Sequence, residues 1–166
     1  GLEYPDAGYG GSFYRWLIHG FTEPYNSYGN GSAMRIAPVG WVCDTLEDTI
    51  TLSKKTTVVS HNHPEAIKGA EAIAVAIFLA RTGSSKEEIK EKMISYYPEL
   101  QEMTIQSLKD NKYGLVDVNM CITCQGSVPE AITCFLEGNS FEEVIRNAIY
   151  INGDSDTLAC MAGAIA

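Results

Sequence analysis

Apolar residues recur along this chain at helical rather than alternating spacing. Ile89 and Met93 lie four apart, and Phe141, Val144, Ile145, Ala148 and Ile149 trace one face of a helix, the pattern of an element that buries a single stripe. Between Glu65 and Arg81 the apolar positions are mostly alanine (Ala66, Ala70, Ala72, Ala74, Ala76 and Ala80), so most of that helix's circumference is small. Such a helix is expected at the centre, with others packed closely around it. No stretch shows sustained strand alternation; Thr56 to Val59 is β-prone but brief. The pattern predicts an all-α domain.

The polar positions punctuate the same elements. Asp44 with Glu47, Ser85 with Glu88, Ser127 with Glu130 and Ser140 with Glu143 each place a capping residue three positions before a glutamate. That spacing lets cap and glutamate satisfy two helix-start amides reciprocally. Ser12 is expected to cap a short helix through Trp16 and Ile18 that stops near Gly20, and Gly83 and Gly138 fall where helices should end. The remaining stretches, Gly1 to Gly11 and Glu23 to Gly31, are too rich in Gly, Pro, Tyr and Asn for an element and read as loops. There is no internal repeat or linker.

Composition narrows the class. The chain has 166 residues and a formal net charge of −9, enough length for one domain with a real core and the wrong sign for a surface that tracks phosphate backbones or anionic lipid. Neither nucleic acid nor a membrane is an expected partner. No apolar run approaches the ~20 residues of a membrane span, and no leader pattern opens the sequence, so a cytoplasmic location is expected. The cysteines (Cys43, Cys121, Cys124, Cys134 and Cys160) are odd in number and scattered, which suits reduced thiols better than a disulfide framework.

Four stretches carry candidate chemistry. Asp154, Asp156 and Thr157 set two carboxylates and a hydroxyl at a helix start. These are hard oxygen donors suited to Mg²⁺ or Mn²⁺, and equally a cap that complements the helix dipole. Three side chains do not complete the shell of even one octahedral ion, so further ligands are required; Asp6, in the opening loop, is the remaining carboxylate placed near a site. Tyr28, Gly29, Asn30, Gly31 and Ser32 lead towards Arg35 as a Gly-rich loop entering a helix. Such a loop either cradles phosphate with its amides or is a turn capped by Ser32. His61 and His63 lack a second Cys/His cluster for a transition-metal site. His61 is therefore read as a hydrogen-bonding ligand residue, and His63, before Pro64, as a helix cap. Cys121 and Cys124 form a lone Cys-x-x-Cys without a partner pair and read as free thiols.

The order of these stretches is more specific than any one of them. Tyr-Gly-Asn-Gly-Ser-Ala-Met-Arg at 28–35, Ser-His-Asn-His-Pro-Glu-Ala-Ile-Lys-Gly-Ala at 60–70, and Asn-Gly-Asp-Ser-Asp-Thr at 152–157 before an Ala/Gly helix together resemble the ADP-ribosylglycohydrolase family. The resemblance covers essentially the whole chain. It implies a compact bundle of helices of that type, with two Mg²⁺ or Mn²⁺ ions. The implied reaction is hydrolysis of the N- or O-glycosidic bond between ADP-ribose and a protein side chain or small acceptor. By the same resemblance Asp154, Asp156 and Thr157 are metal ligands, while Tyr28 to Ser32 and His61 line the phosphate and ribose site.

Two departures accompany the likeness. Asn152 stands where the family usually has Gly. The Gly-Asp-x-x-Gly segment and the Thr-Asp-Asp-Thr motif that supply the family's other ligands do not occur. The expectation is therefore a fold incomplete at its N-terminus, carrying one wall of a two-metal site. Such a chain is either part of a hydrolase or a domain that binds ADP-ribose without turnover.

Overall fold

The computed structural model describes residues 3–4, 6–20, 22–112 and 118–166; of the opening loop, residues 1, 2 and 5 lie outside the described residues. Among those described, the chain folds as α1 (Gly11–Ile18), α2 (Gly31–Met34), α3 (Ala37–Val42), α4 (Leu46–Thr57), α5 (Pro64–Arg81), α6 (Lys86–Ile94), a 3-10 turn at Pro98–Gln101, α7 (Ile105–Lys112), α8 (Val118–Cys121), α9 (Cys124–Glu137), α10 (Phe141–Tyr150) and α11 (Ser155–Ile165). Their only β pairing is an isolated antiparallel bridge between Gly29 and Thr123. The all-α expectation holds, and the β-prone run at 56–59 is the end of α4 and the turn after it.

Helix α5 is the centre. His63 caps it by accepting the Glu65 N–H on Nδ1 at 3.1 Å, Pro64 opens it where a missing N–H costs nothing, and Ala66, Ala70, Ala72, Ala74 and Ala76 are wholly buried. Small side chains let α2, α3, α4, α6, α9 and α11 all pack against it. Contact is closest where glycine faces it: a Cβ built on Gly40 of α3 would lie 2.7 Å from Ile77 and 2.8 Å from the Ala74 carbonyl oxygen. Gly69, on α5 itself, meets Cys124 in the same way, with 2.8 Å from a built Cβ to the cysteine's Cβ. Helices α9, α10 and α11 form a second cluster, of which α9 and α11 meet α5, and α2 is wedged between α5, α9 and α11.

The capping residues match expectation in part. Ser85 and Glu88 form the reciprocal box, at 3.2 and 2.7 Å. Ser140 accepts the Glu143 N–H at 3.2 Å, but the glutamate turns to the Asn139 N–H instead. The cap of α4 is Thr45, whose hydroxyl oxygen accepts the Asp48 N–H at 3.1 Å, in place of Asp44. The cap of α9 is Thr123 and not Ser127, which is buried a turn inside and donates back to the Thr123 carbonyl at 2.7 Å. The helix starts early because the Cys124 N–H is taken by the Tyr28 carbonyl at 3.0 Å, a tertiary bond that no local pattern encodes. Helix α1 begins after Gly10, with Ser12 inside it. Gly83 ends α5's turn at φ +91°, the left-handed conformation glycine permits.

Candidate active site

The loop at 25–30 reaches α2 through the bridge to Thr123, and its conformation is fixed from behind by the segment 121–124. The Asn30 N–H donates to the Ile122 carbonyl at 2.9 Å and the Cys124 thiol donates to the Gly29 carbonyl at 3.3 Å. Ser32 is not a cap: it is buried within α2 and donates to the Ala66 carbonyl at 3.2 Å, tying the loop to α5. The two cysteines of Cys-x-x-Cys are unbridged, and Cys124 is fully buried, its thiol pushed up by that burial. Asn30, Ser32 and Cys124 thus hold the shape of the turn.

In front of the loop lies an open cavity of about 430 Å³ bordered by Phe13, Tyr25, Gly31, Arg35, His61 and Ile122. A second of about 340 Å³, bordered by Tyr28, Gly29 and Thr123, shares Tyr25, Ser27 and Ile122 with it. His61 is 6% exposed, and its Nε2 lies 3.5 Å from where a Cβ on Gly31 would stand and 3.8 Å from one on Gly29. The opposite ring nitrogen, Nδ1, is 2.8 Å from the Ser60 hydroxyl and 3.4 Å from the Arg35 guanidinium. Burial, and then the Arg35 charge, push His61 down to about 4, so the imidazole is neutral near pH 7. Tyr28 is half exposed, with its ring 5.3 Å from that of His63.

Asn30 joins this cradle to the C-terminal motif. Its side-chain amide donates to the Cys121 carbonyl at 3.3 Å and to an Asp154 carboxylate oxygen at 2.6 Å, although 124 residues separate Asn30 from Asp154. Asp154 occupies the N-cap position of α11 but makes no capping bond with its side chain. Asp156 is exposed and held below the usual carboxylate range, first by a hydrogen bond shared with Asp154 and then by the Thr157 and Asp156 amides. Two carboxylates in such contact repel unless a proton or a cation lies between them. Thr157 is buried, its hydroxyl 3.8 Å from the Met34 sulfur. The Asn152 backbone sits at φ +68°, a left-handed position that asparagine tolerates better than other residues with a side chain. That explains how it stands in for glycine there.

The structure therefore brings Gly29, Asn30, Gly31, His61 and Asp154 to one corner, with Asp156 beside Asp154. Asp6 is exposed in the opening loop and borders neither cavity. Among the described residues no group of three or more His, Cys, Asp or Glu is arranged to hold a metal ion. The oxygens of Asp154, Asp156 and Thr157 suit a hard divalent cation in kind, and are too few to enclose a pair of ions. Sequence reasoning missed Tyr25, Arg35, Ser60 and Cys124 as members of this corner. Arg35 ends one recognised motif and Ser60 begins another, but nothing local signals that they meet each other.

The profile of the ADP-ribosylglycohydrolase family matches residues 5–166. The chain belongs to the ADP-ribosylglycohydrolase family. It is 27% identical to the ADP-ribosylhydrolase ARH3 of Mus musculus over a 179-residue alignment that covers 84% of this chain and 48% of that protein. An uncharacterized protein of Archaeoglobus fulgidus is 29% identical over 144 residues, covering 81% of this chain and 47% of its own length. A solved structure, an ADP-ribosylglycohydrolase-related protein complex, has a TM-score of 0.68 and 22% identity over 93% of this chain and 55% of that one, a likeness of fold. The chain spans about half the length of the curated relatives it matches. Family membership supports glycohydrolase chemistry at that level. Among the described residues no helix is long and apolar enough to cross a membrane.

Proposed function

We propose that this corner is part of a site that binds ADP-ribose and serves hydrolysis of its glycosidic bond to a protein side chain or small acceptor. The observation that carries the reading is the 2.6 Å hydrogen bond from Asn30 to Asp154. It unites the Gly/Asn loop and the carboxylate helix, motifs from opposite ends of the chain, in one constellation.

The chain's own residues have distinct tasks in this reading. Gly29 and Gly31, without Cβ atoms, leave room for a pyrophosphate to approach the loop. Neutral His61 contributes hydrogen bonding from the cavity wall, and Arg35 supplies the positive charge that a diphosphate attracts. Asn30 orients the Asp154 carboxylate. Asp154, Asp156 and Thr157 would hold part of the shell of two Mg²⁺ or Mn²⁺ ions, with the other ligands from outside the described residues. Such ions, when bound, polarise hydroxyls and activate water. Holding substrate in one orientation is itself a large part of the rate advantage of such sites.

The test is to titrate ADP-ribose with and without Mg²⁺ and to follow release of ADP-ribose from a modified protein. The expected result is Mg²⁺-dependent binding that a Gly31→Val variant loses by roughly a hundredfold, as a branched side chain enters the cavity. Metal-independent binding without release would favour a second reading, an ADP-ribose-binding domain without turnover. Among the described residues the corner holds the carboxylates of Asp154 and Asp156, fewer than a pair of ions requires. Absence of binding under both conditions would reject the ligand altogether.

A further inference from the structure

Arg35 ends one of the recognised motifs and Ser60 begins another, and the two converge on His61, with the Tyr25 ring 5.9 Å from the imidazole. Arginine carries five N–H donors and no acceptor. Its Nη2 lies 2.9 Å from the Ser60 hydroxyl oxygen and 3.4 Å from His61 Nδ1. If Nδ1 carried the ring proton, two N–H groups would face each other at a part-buried contact. With Nδ1 as acceptor the network closes: Ser60 accepts from Arg35 and gives its single hydrogen to Nδ1 at 2.8 Å.

We propose that Ser60 and Arg35 are positioning residues that hold His61 as the Nε2–H tautomer, so that the imidazole presents a neutral N–H donor to a ligand oxygen beside Gly31. The ring nitrogen near the glycine loop then has no lone pair. His61 recognises an acceptor oxygen of a phosphate or ribose and is unavailable there as a metal ligand or as a base. The inference rests on the reading of the loop as a phosphate and ribose cradle, but its central claim concerns the free protein. His63 behaves in parallel, its Nδ1 lone pair being spent on the Glu65 N–H.

The experiment is ¹⁵N–¹H NMR of the histidine rings in the full chain at pH 7, without ligand. His61 is assigned by comparison with a His61→Gln variant. The expected spectrum has an unprotonated Nδ1 and a protonated Nε2. A protonated Nδ1 overturns the proposal, whatever the chain binds. A Ser60→Ala variant, and the Ser60→Ala/Arg35→Leu double variant where it folds, should move the ring towards a mixture of tautomers. Unchanged ring shifts in the Ser60→Ala variant, where Arg35 has also been replaced or not, would show that these residues do not set the tautomer and overturn their positioning role. ADP-ribose affinity should fall roughly tenfold in step with the lost tautomer, the worth of about one hydrogen bond. If wild type shows the expected tautomer but does not bind ADP-ribose, the proposed function fails and the tautomer assignment stands.

Discussion

The α5 core and the corner around Asn30 are built on opposite principles. The core is uniform: alanines and glycines at helical spacing bring α3, α4 and α9 against one central helix, and non-directional apolar contact holds them. The corner is irregular backbone whose shape is dictated by single hydrogen bonds between distant segments, such as Asn30 to Asp154, Cys124 to Tyr28 and Ser32 to Ala66. It also contains the left-handed residues Asn26, Asn152 and Gly153. Packing tolerates approximate composition but not added volume, whereas a hydrogen-bonded corner tolerates volume at its open face but not the loss of a partner.

The sharpest way to break the comparison is Gly40→Val. Its Cβ would meet Ile77 and the Ala74 carbonyl at under 3 Å, and the expected loss is about 3 kcal/mol, near the upper range for overpacking. Urea denaturation checks it; a loss below about 1 kcal/mol would show that α3 is not pressed on α5. Gly31→Val, at the open face, should by contrast leave the unfolding midpoint almost unchanged while it weakens ligand binding.

Acid discriminates between the two regions next. His61 is held down at about 4 against an ordinary value of 6.5. A neutral imidazole preferred by the fold contributes stability that is fully present above 6.5 and is lost as pH falls towards 4, because the unfolded chain takes up the proton first. Glu88 and Asp156, also held low, act only below their ordinary values of 4.5 and 3.8. A decline in urea midpoint between pH 6.5 and 4.5 therefore reports the corner. Arg35→Gln, which removes a cation facing His61, should make it shallower while burial, the larger cause, remains; an unaltered slope would count against the Arg35 contact.

The smallest effect is expected at Asn152. At φ +68°, Asn152→Gly relieves a modest backbone cost and should change stability by no more than about 1 kcal/mol. A larger loss, read by thermal unfolding, would mean that the asparagine side chain and not its backbone tolerance is what the corner needs.

Much of the core was legible because helical spacing, the Ser85–Glu88 box and the His63-Pro64 start are local signals that the tertiary structure reinforces. The capping of α9 was misplaced because Thr123 and Ser127 are equally good local candidates, and docking onto Tyr28 chooses between them. The site was legible as motifs and not as geometry. Asp154 looked like either a cap or a ligand, and the structure turns its carboxylate away from capping and towards Asn30. Arg35 and Ser60 were invisible as partners because contact across 25 residues of helix and turn leaves no periodic trace.

By itself the sequence determined that the chain is helical, that α5 lies at its centre, and that glycines, histidines and carboxylates of one family stand in order along it. These are properties of spacing and side-chain size, fixed within a few residues. Only the tertiary structure decided which carboxylate meets the glycine loop, which hydroxyl caps α9, and which groups surround His61. Each of those depends on a directional bond between segments far apart in the chain, and its geometry exists only once the packed helices bring its ends together.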